Sequence, residues 1–177
     1  DNIAIGRSAM ENWSGTSGGR NTCVGALAGG GAITGSGNLL LGYNAGNNSG
    51  SGNITSGTNN ICISGGDSNA NSAALTNAND DTFAISIGAY CKAGDFAIAM
   101  GKTAIASGED SIALGIDTDA TGAQSIAVGD GAQATAAQSI AIGDGTDSSG
   151  AQSIAIGEGA LATAAAAISI GDGSNVS

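Results

Sequence analysis

Gln124-Ser125-Ile126-Ala127-Val128-Gly129, Gln138-Ser139-Ile140-Ala141-Ile142-Gly143 and Gln152-Ser153-Ile154-Ala155-Ile156-Gly157 are one phrase written three times. Outward from it, the same cassette recurs as Ile98-Ala99-Met100-Gly101, Ile112-Ala113-Leu114-Gly115 and Ile168-Ser169-Ile170-Gly171, and from Gly101 to Gly171 the glycines are 14 residues apart every time. Such a period is too short for a helical-hairpin repeat. A branched apolar triplet followed by glycine and polar residues reads instead as a short strand closed by a turn.

A second, weaker triplet follows each glycine: Ala104-Ile105-Ala106, Ala132-Gln133-Ala134 and Ala160-Leu161-Ala162, with Thr146-Asp147-Ser148 and Cys91-Lys92-Ala93 in the same register. Side chains alternate across a strand. The small flanking residues therefore point inward and the varied middle residue points to solvent, so each coil holds two short strands. Upstream, Ile3 to Gly6, Thr22 to Gly25, Leu39 to Gly42, Ile61 to Ser64 and Ile85 to Gly88 repeat the cassette at irregular spacings of 13 to 24 residues. The predicted fold is all-β, a parallel β-roll or solenoid of two-stranded coils. Residues 1–82 are expected to form irregular coils with longer loops, and residues 83–177 regular coils, in one continuous array.

Composition agrees with a solenoid and excludes several classes. The chain has 177 residues, of which 32 are Gly, none is Pro or His, and 3% are aromatic. A round core of alanine and glycine would bury too little apolar area to offset chain entropy, whereas stacked short repeats escape that limit. A net charge of -11 has the wrong sign for a phosphate backbone, so nucleic acid is not expected as a partner. No run is long enough for a membrane span, and no membrane contact is expected from this segment. The opening at Asp1, within a strand and without Met, reads as an internal piece of a longer chain. Cys23, Cys62 and Cys91 are odd in number and lack CxxC spacing, so neither a disulfide framework nor a zinc site is indicated.

The first strand of each coil poses a packing problem. Its outer places are Ile, Val, Leu or Met and its middle place is usually Ala, so both faces are apolar, and such strands are ordinarily covered on both sides. One face fills its own coil. The other needs a partner, and another copy of the chain, related by cyclic symmetry about the solenoid axis, is the plainest one. Ile98, Ile112, Ile126, Val128, Ile140, Ile142, Ile154, Ile156, Ile168 and Ile170 are the candidate interface and core residues.

The Gln-Ser-Ile-Ala-Ile-Gly phrases resemble the SVAIG-type head repeats of trimeric autotransporter adhesins, the Yersinia-adhesin-like family, over residues 83–177. That resemblance implies a left-handed roll, three copies of which form a homotrimer, intertwined or side by side, with the Ile-Ala-Ile strands toward its centre. Residues Asn21-Thr22-Cys23-Val24-Gly25-Ala26-Leu27-Ala28-Gly29 and Asn38-Leu39-Leu40-Leu41-Gly42-Tyr43-Asn44-Ala45-Gly46 depart from that pattern. They are similar to the NTxVGxxAG repeats of bacteriophage tail fibres.

Stacking turns each repeat position into a column with strand spacing of about 4.8 Å. Gln124, Gln138 and Gln152 are expected to form an amide ladder, and Ser111, Ser125, Ser139 and Ser153 a hydroxyl ladder, each side chain satisfying those above and below. Serine hydrolysis is not expected, because the chain has no histidine to serve as base. Asp130, Asp144, Glu158 and Asp172 form an acidic column, read as solvated turn residues, with Ca²⁺ or Mg²⁺ held by their oxygens as the sharper alternative. No cofactor is expected.

The adjacent carboxylates Asp80-Asp81 and Glu109-Asp110 do not suit glycoside hydrolysis, where two carboxyls must face one substrate across about 5 to 9 Å. Cys91 takes an inward place, and Cys23 and Cys62 take middle places, as buried thiols acting as small hydrophobes. A disulfide cluster where copies meet is the alternative. An ice-binding solenoid would require a column of paired threonines, which Thr118, Thr146 and Thr163 do not provide.

Extra residues leave the coil as loops at Asn12 to Gly19, Asn47 to Asn60 and Gly65 to Asp81, and binding residues often sit on loops of a rigid scaffold. Trp13, Asn48, Asp67, Asn69, Asp80 and Asp81 are the candidate receptor-binding residues. Tyr43 and Tyr90 read as turn packing. The expected function is non-enzymatic: an extracellular, homotrimeric surface fibre that projects and binds a host-cell surface protein or glycan, or extracellular matrix. A bacterial cell-surface fibre, a phage tail fibre for host recognition and a purely structural rod stay open as its setting.

Overall fold

Three-residue strands arise here because only three places per coil carry branched or small apolar residues before a glycine in the left-handed region ends the run. In a computed structural model the described residues are 1–12, 18–30, 35–46, 57–64, 82–177 and the backbone of 74–75. They contain no helix, and in each of two compact units, Asp1–Phe96 and Ala97–Ser177, parallel strands stack as a β-solenoid. No helix among them is long and apolar enough to cross a membrane.

In the unit Ala97–Ser177 one sheet runs Ile98–Met100, Ile112–Leu114, Ile126–Val128, Ile140–Ile142, Ile154–Ile156 and Ile168–Ile170 in chain order. The register is one full repeat: Ile112 pairs with Ile126, Ala113 with Ala127 and Leu114 with Val128, and so on along the sheet. The second sheet runs Ile105–Ala106, Asp119–Ala120, Gln133–Ala134, Asp147–Ser148, Leu161–Ala162 and Asn175–Val176. The two-strand coil read from the sequence is present in every repeat of this unit.

In the unit Asp1–Phe96 the first sheet comprises Ile3–Ile5, Thr22–Val24, Leu39–Leu41, Ile61–Ile63 and Ile85–Ile87, again parallel and in register. Among the described residues of this unit a second strand forms at Ala74–Leu75 and Lys92–Ala93. Earlier, Ala26–Gly29 and Tyr43–Gly46 are turns, a difference from the expected second strand. Two left-handed residues in each, Leu27 with Gly29 and Asn44 with Gly46, curl the backbone too tightly for extension. The turns still hold register through the backbone, since Gly29 N donates to Ala45 O at 2.8 Å and Met10 N to Ala28 O at 2.9 Å.

The interior is thin. Among the described residues the buried apolar side chains are nearly all alanine, with Cys23, Cys62 and Cys91, and Leu40 is the largest that is fully buried. A buried methyl contributes only about 0.8 kcal/mol. The repeated main-chain ladder, at a net ~1 kcal/mol per bond, therefore carries much of the stability. Close stacking favours glycine at the strand ends, with Ser64 the exception: at Gly129, with φ +138°, an added Cβ would lie on the carbonyl oxygen of Gly143.

Candidate adhesive surfaces

Strand alternation sorts the first triplet into an inside and an outside. The middle residues Ala99, Ala113, Ala127, Ala141 and Ala155 are fully buried, as are Cys23, Leu40, Cys62 and Ser86 at the same place in the other unit. The outer residues stand on the opposite face. Ile98, Ile112, Ile126, Val128, Ile140, Ile154 and Ile156 are half-buried against their stacked neighbours, Ile142 is 38% exposed, and Ile168 and Ile170 are 59% and 66% exposed on a strand with one neighbour. With Met100 and Leu114, the unit Ala97–Ser177 thus carries two parallel columns of branched or long apolar side chains outside its own core. Contiguous apolar strips of this kind are a common feature of interaction sites.

In the second triplet Ala104, Ala106, Ala132, Ala134, Ala160 and Ala162 are fully buried as expected, whereas of the middle residues Gln133 is exposed and Ile105, Asp119, Asp147 and Leu161 are half-buried. Thr118 and Thr146 occupy the same inward place and donate their hydroxyls to Gly129 O and Gly157 O at 2.7 Å. Thr163 lies elsewhere, in an exposed hydroxyl column with Ser107, Thr121, Thr135 and Ser149. That column was legible in the sequence as the residue after each second triplet.

The corner two residues before each first strand has left-handed backbone. Arg20, Asn59, Phe83, Phe96, Asp110, Gln124, Gln138, Gln152 and Ala166 all have φ between +55° and +63°, and Gly37 has φ +73°. A non-glycine residue there costs roughly 1–2 kcal/mol. The amide ladder sits on this corner: Gln138 Nε2 donates to Gln124 Oε1 at 3.0 Å and Gln152 Nε2 to Gln138 Oε1 at 3.1 Å. Phe83 and Phe96 use the corner differently, stacking their rings with centroids 5.7 Å apart.

The expected serine ladder does not form. Ser139 donates to Ala136 O at 2.7 Å and Ser153 to Gly150 O at 2.6 Å, each within its own coil, while the Ser111 and Ser125 hydroxyls have no partner among the described residues. Serine is too short to bridge coils a strand spacing of about 4.8 Å apart. Asparagine is long enough, and at the same place in the other unit a buried ladder forms that the sequence reading missed. Asn21 N donates to Asn2 Oδ1, Asn38 N to Asn21 Oδ1 and Asn60 N to Asn38 Oδ1, all at 2.9 Å, and Ala84 N to Asn60 Oδ1 at 2.8 Å. An asparagine directly before four of the five strands of that sheet was its signal.

Trp13, Asn48, Asp67, Asn69, Asp80 and Asp81 lie outside the described residues, as does most of the three loops. Asp130, Asp144, Glu158 and Asp172 are exposed, and no group of three or more His, Cys, Asp or Glu suited to a metal ion occurs among the described residues. Glu109 and Asp110 are both exposed. Tyr43 and Tyr90 are half-buried in turns. Asp119 has its carboxyl held above the usual range by burial and by the nearby charge of Asp117, which itself accepts from the Thr103 hydroxyl. Desolvation pushes the Cys23 thiol up to about 11 and the Cys62 thiol up to about 12, and raises Cys91. Thiols so poorly ionised are unreactive packing groups.

The geometry offers columns and faces for binding. Residues 93–117, 120–146 and 148–174, together a little under half of the chain, match the family model described as YadA head domain repeat (2 copies). No curated protein matches the chain.

Proposed function

We propose that the chain, whose residues 93–117, 120–146 and 148–174 match the YadA head domain repeat, is a non-enzymatic adhesive part of a homotrimeric, surface-exposed fibre. The observation that carries this reading is the pair of outward apolar columns from Ile98 to Ile170, which are half-buried to exposed among the described residues. Three aligned copies would bury those columns against one another. What then faces outward is polar: the acidic column, the hydroxyl column and the glutamine ladder. Adhesion through a repetitive polar surface works by weak contacts multiplied over three subunits, since linked sites raise the effective concentration for each later contact.

The targets in this reading are a host-cell surface protein or glycan, or extracellular matrix, with the loops bearing Trp13, Asn48, Asp67, Asn69, Asp80 and Asp81 as receptor sites. The test is light scattering on the purified chain, followed by its binding to immobilised matrix and to cells. A mass about three times 16.6 kDa with saturable binding is the expected result, and a monomer at all concentrations overturns the assembly. A trimer that binds neither surface would reassign the chain as a structural rod.

A second reading draws on the unit Asp1–Phe96. Its asparagine ladder and left-handed turns at Asn21 to Gly29 and Asn38 to Gly46 differ from the regular repeats, and the resemblance of those stretches to phage tail-fibre repeats favours a virion fibre for host recognition. Locating the coding sequence among virion or bacterial surface genes separates the two.

A further inference from the structure

We infer that the Phe83–Phe96 ring pair is a stacking site for a neutral glycan, taking the C–H face of a pyranose on a ring and its hydroxyls on the Asn59 carboxamide. The inference rests on the adhesive reading above and names, within it, the ligand class and the residues that recognise it.

Aromatic side chains are out of place at this corner. Its left-handed backbone elsewhere holds Arg20, Gly37, Asn59, Asp110, three glutamines and Ala166. Phe83 and Phe96 have φ +57° and +55°, a conformation that bulky residues adopt only where surrounding structure enforces it. The backbone does enforce it. Phe83 N donates to Thr58 O and Phe96 N to Thr82 O, both at 3.0 Å, and Thr82 N is held by Asp95 Oδ1 at 2.8 Å. The rings are thereby fixed on the surface, where they remain 54% and 52% exposed, so burial in the coil's own core does not account for them. They occupy the same repeat place as the glutamine ladder of the other unit, a place that faces outward once the isoleucine columns are covered.

The geometry of the pair selects the ligand. The rings lie within 20° of parallel with centroids 5.7 Å apart, so one face of each is turned to the other ring and the opposite face is left for a ligand. On the Phe83 side, the Thr58–Thr82 bridge brings the exposed Asn59 to the same corner one coil away. The Asn59 side chain leans from Phe83 toward the next coil, where a Cβ on Gly37 would lie on its Oδ1. An open ring face and an exposed carboxamide therefore adjoin. A pyranose has the matching shape: polarised C–H groups on one face, attracted by the negative face of an aromatic ring, and a rim of hydroxyls that a carboxamide can both donate to and accept from. An apolar protein anchor would call for apolar neighbours, whereas Asn59, Thr82 and Asp95 stand beside these rings. The Asp95 carboxylate next to Phe96 and a net charge of -11 disfavour sialylated or sulfated sugars. A neutral glycan is left.

The test applies the full chain to immobilised neutral oligosaccharides ending in β-linked glucose, galactose or N-acetylglucosamine, beside sialylated and sulfated ones, with collagen as a protein surface. Phe83→Asn with Phe96→Gln, residues the same corner holds in other coils, removes the rings, and Phe83→Tyr with Phe96→Tyr keeps them. Asn59→Ala removes the carboxamide alone. The expected result is binding to a neutral oligosaccharide that weakens about tenfold or more without the rings, weakens in Asn59→Ala and survives in the tyrosine variant, with the far-ultraviolet circular dichroism and the mass by light scattering unchanged. Neutral-glycan binding that is equally strong without the rings overturns the inference, as does a parent that binds only anionic glycans or only collagen. Loss of the β spectrum or of the parent's mass on removing the rings overturns it too, because they would then serve the coil or the assembly. A parent that binds none of these surfaces and no cells sinks the adhesive reading with the inference, whereas a parent whose binding to cells or collagen ignores the rings sinks the inference alone.

Discussion

Asn38 joins three coils at once: its backbone N–H donates to Asn21 Oδ1 at 2.9 Å, its Oδ1 accepts from Asn60 N at 2.9 Å, and its Nδ2 donates to Gly57 O at 2.9 Å. All of this happens at a side chain that is 1% exposed. In Asn38→Ala the Asn60 N–H loses this acceptor and the Gly57 carbonyl this donor, away from water. At about 1–3 kcal/mol for each stranded group, the loss should be roughly 2–6 kcal/mol. Ser125→Ala is the contrast, since the Ser125 hydroxyl has no partner among the described residues; it should be neutral or slightly stabilising. Urea midpoints for the two variants check the difference, and equal midpoints would contradict it.

Gly129 and Gly131 separate space from strain. Both have positive φ, +138° and +61°, but a Cβ at Gly129 would collide with the Gly143 carbonyl, whereas at Gly131 nothing lies within 4 Å. Gly131→Ala should cost only the left-handed penalty, about 1–2 kcal/mol. Gly129→Ala must also push two coils apart, and a loss above about 4 kcal/mol is expected. Thermal unfolding of both variants, measured side by side, gives the comparison.

Cys62 sets an alkaline limit. Burial raises its thiol from an ordinary 9.0 to about 12, so the folded chain keeps the proton that the unfolded chain releases. The sign follows from linkage: stability is full below pH 9, falls as pH rises through the window from 9 to about 12, and levels off above it. Cys62→Ala should flatten that part of the pH profile, and thiol reagents at neutral pH should label Cys62 only as fast as the unit opens. Rapid labelling under native conditions would contradict the assigned burial.

Legibility in the sequence followed from how regularly a residue recurs and how far its side chain reaches. The Ile-Ala-Ile-Gly cassette was readable because its period never varies from Gly101 to Gly171, and the inward or outward place of each residue followed from alternation alone. The glutamine ladder was readable for the same reason. The asparagine ladder obeys the same stacking logic, but loops of unequal length between Asn2, Asn21, Asn38 and Asn60 hide its period. The serine ladder was misread because a repeat in sequence ensures a column in space and not a bond along it. Left-handed backbone at Gln124, Gln138 and Gln152 left no trace, because glutamine has no preference for it; ladder and turn geometry override propensity there. The Phe83–Phe96 stack was hidden by the irregular spacing of the coils that carry it.

Ala141 and Ile142 are neighbours on one strand with opposite consequences. Ala141 is fully buried between the two sheets of its coil, whereas Ile142 is 38% exposed on the outer column. Ala141→Leu inserts three carbons into an interior built for a methyl group, where overpacking costs typically about 1–3 kcal/mol and more when the backbone must part; the expected result is loss of cooperative unfolding. Ile142→Asp leaves the coil interior untouched and adds a charge to the face proposed to meet other copies. If that face is buried between copies, an unpaired carboxylate there is strongly unfavourable, so the variant should keep its β spectrum yet run as a monomer. An Ile142→Asp chain that still assembles would place the interface elsewhere, and the apolar columns would then need another explanation.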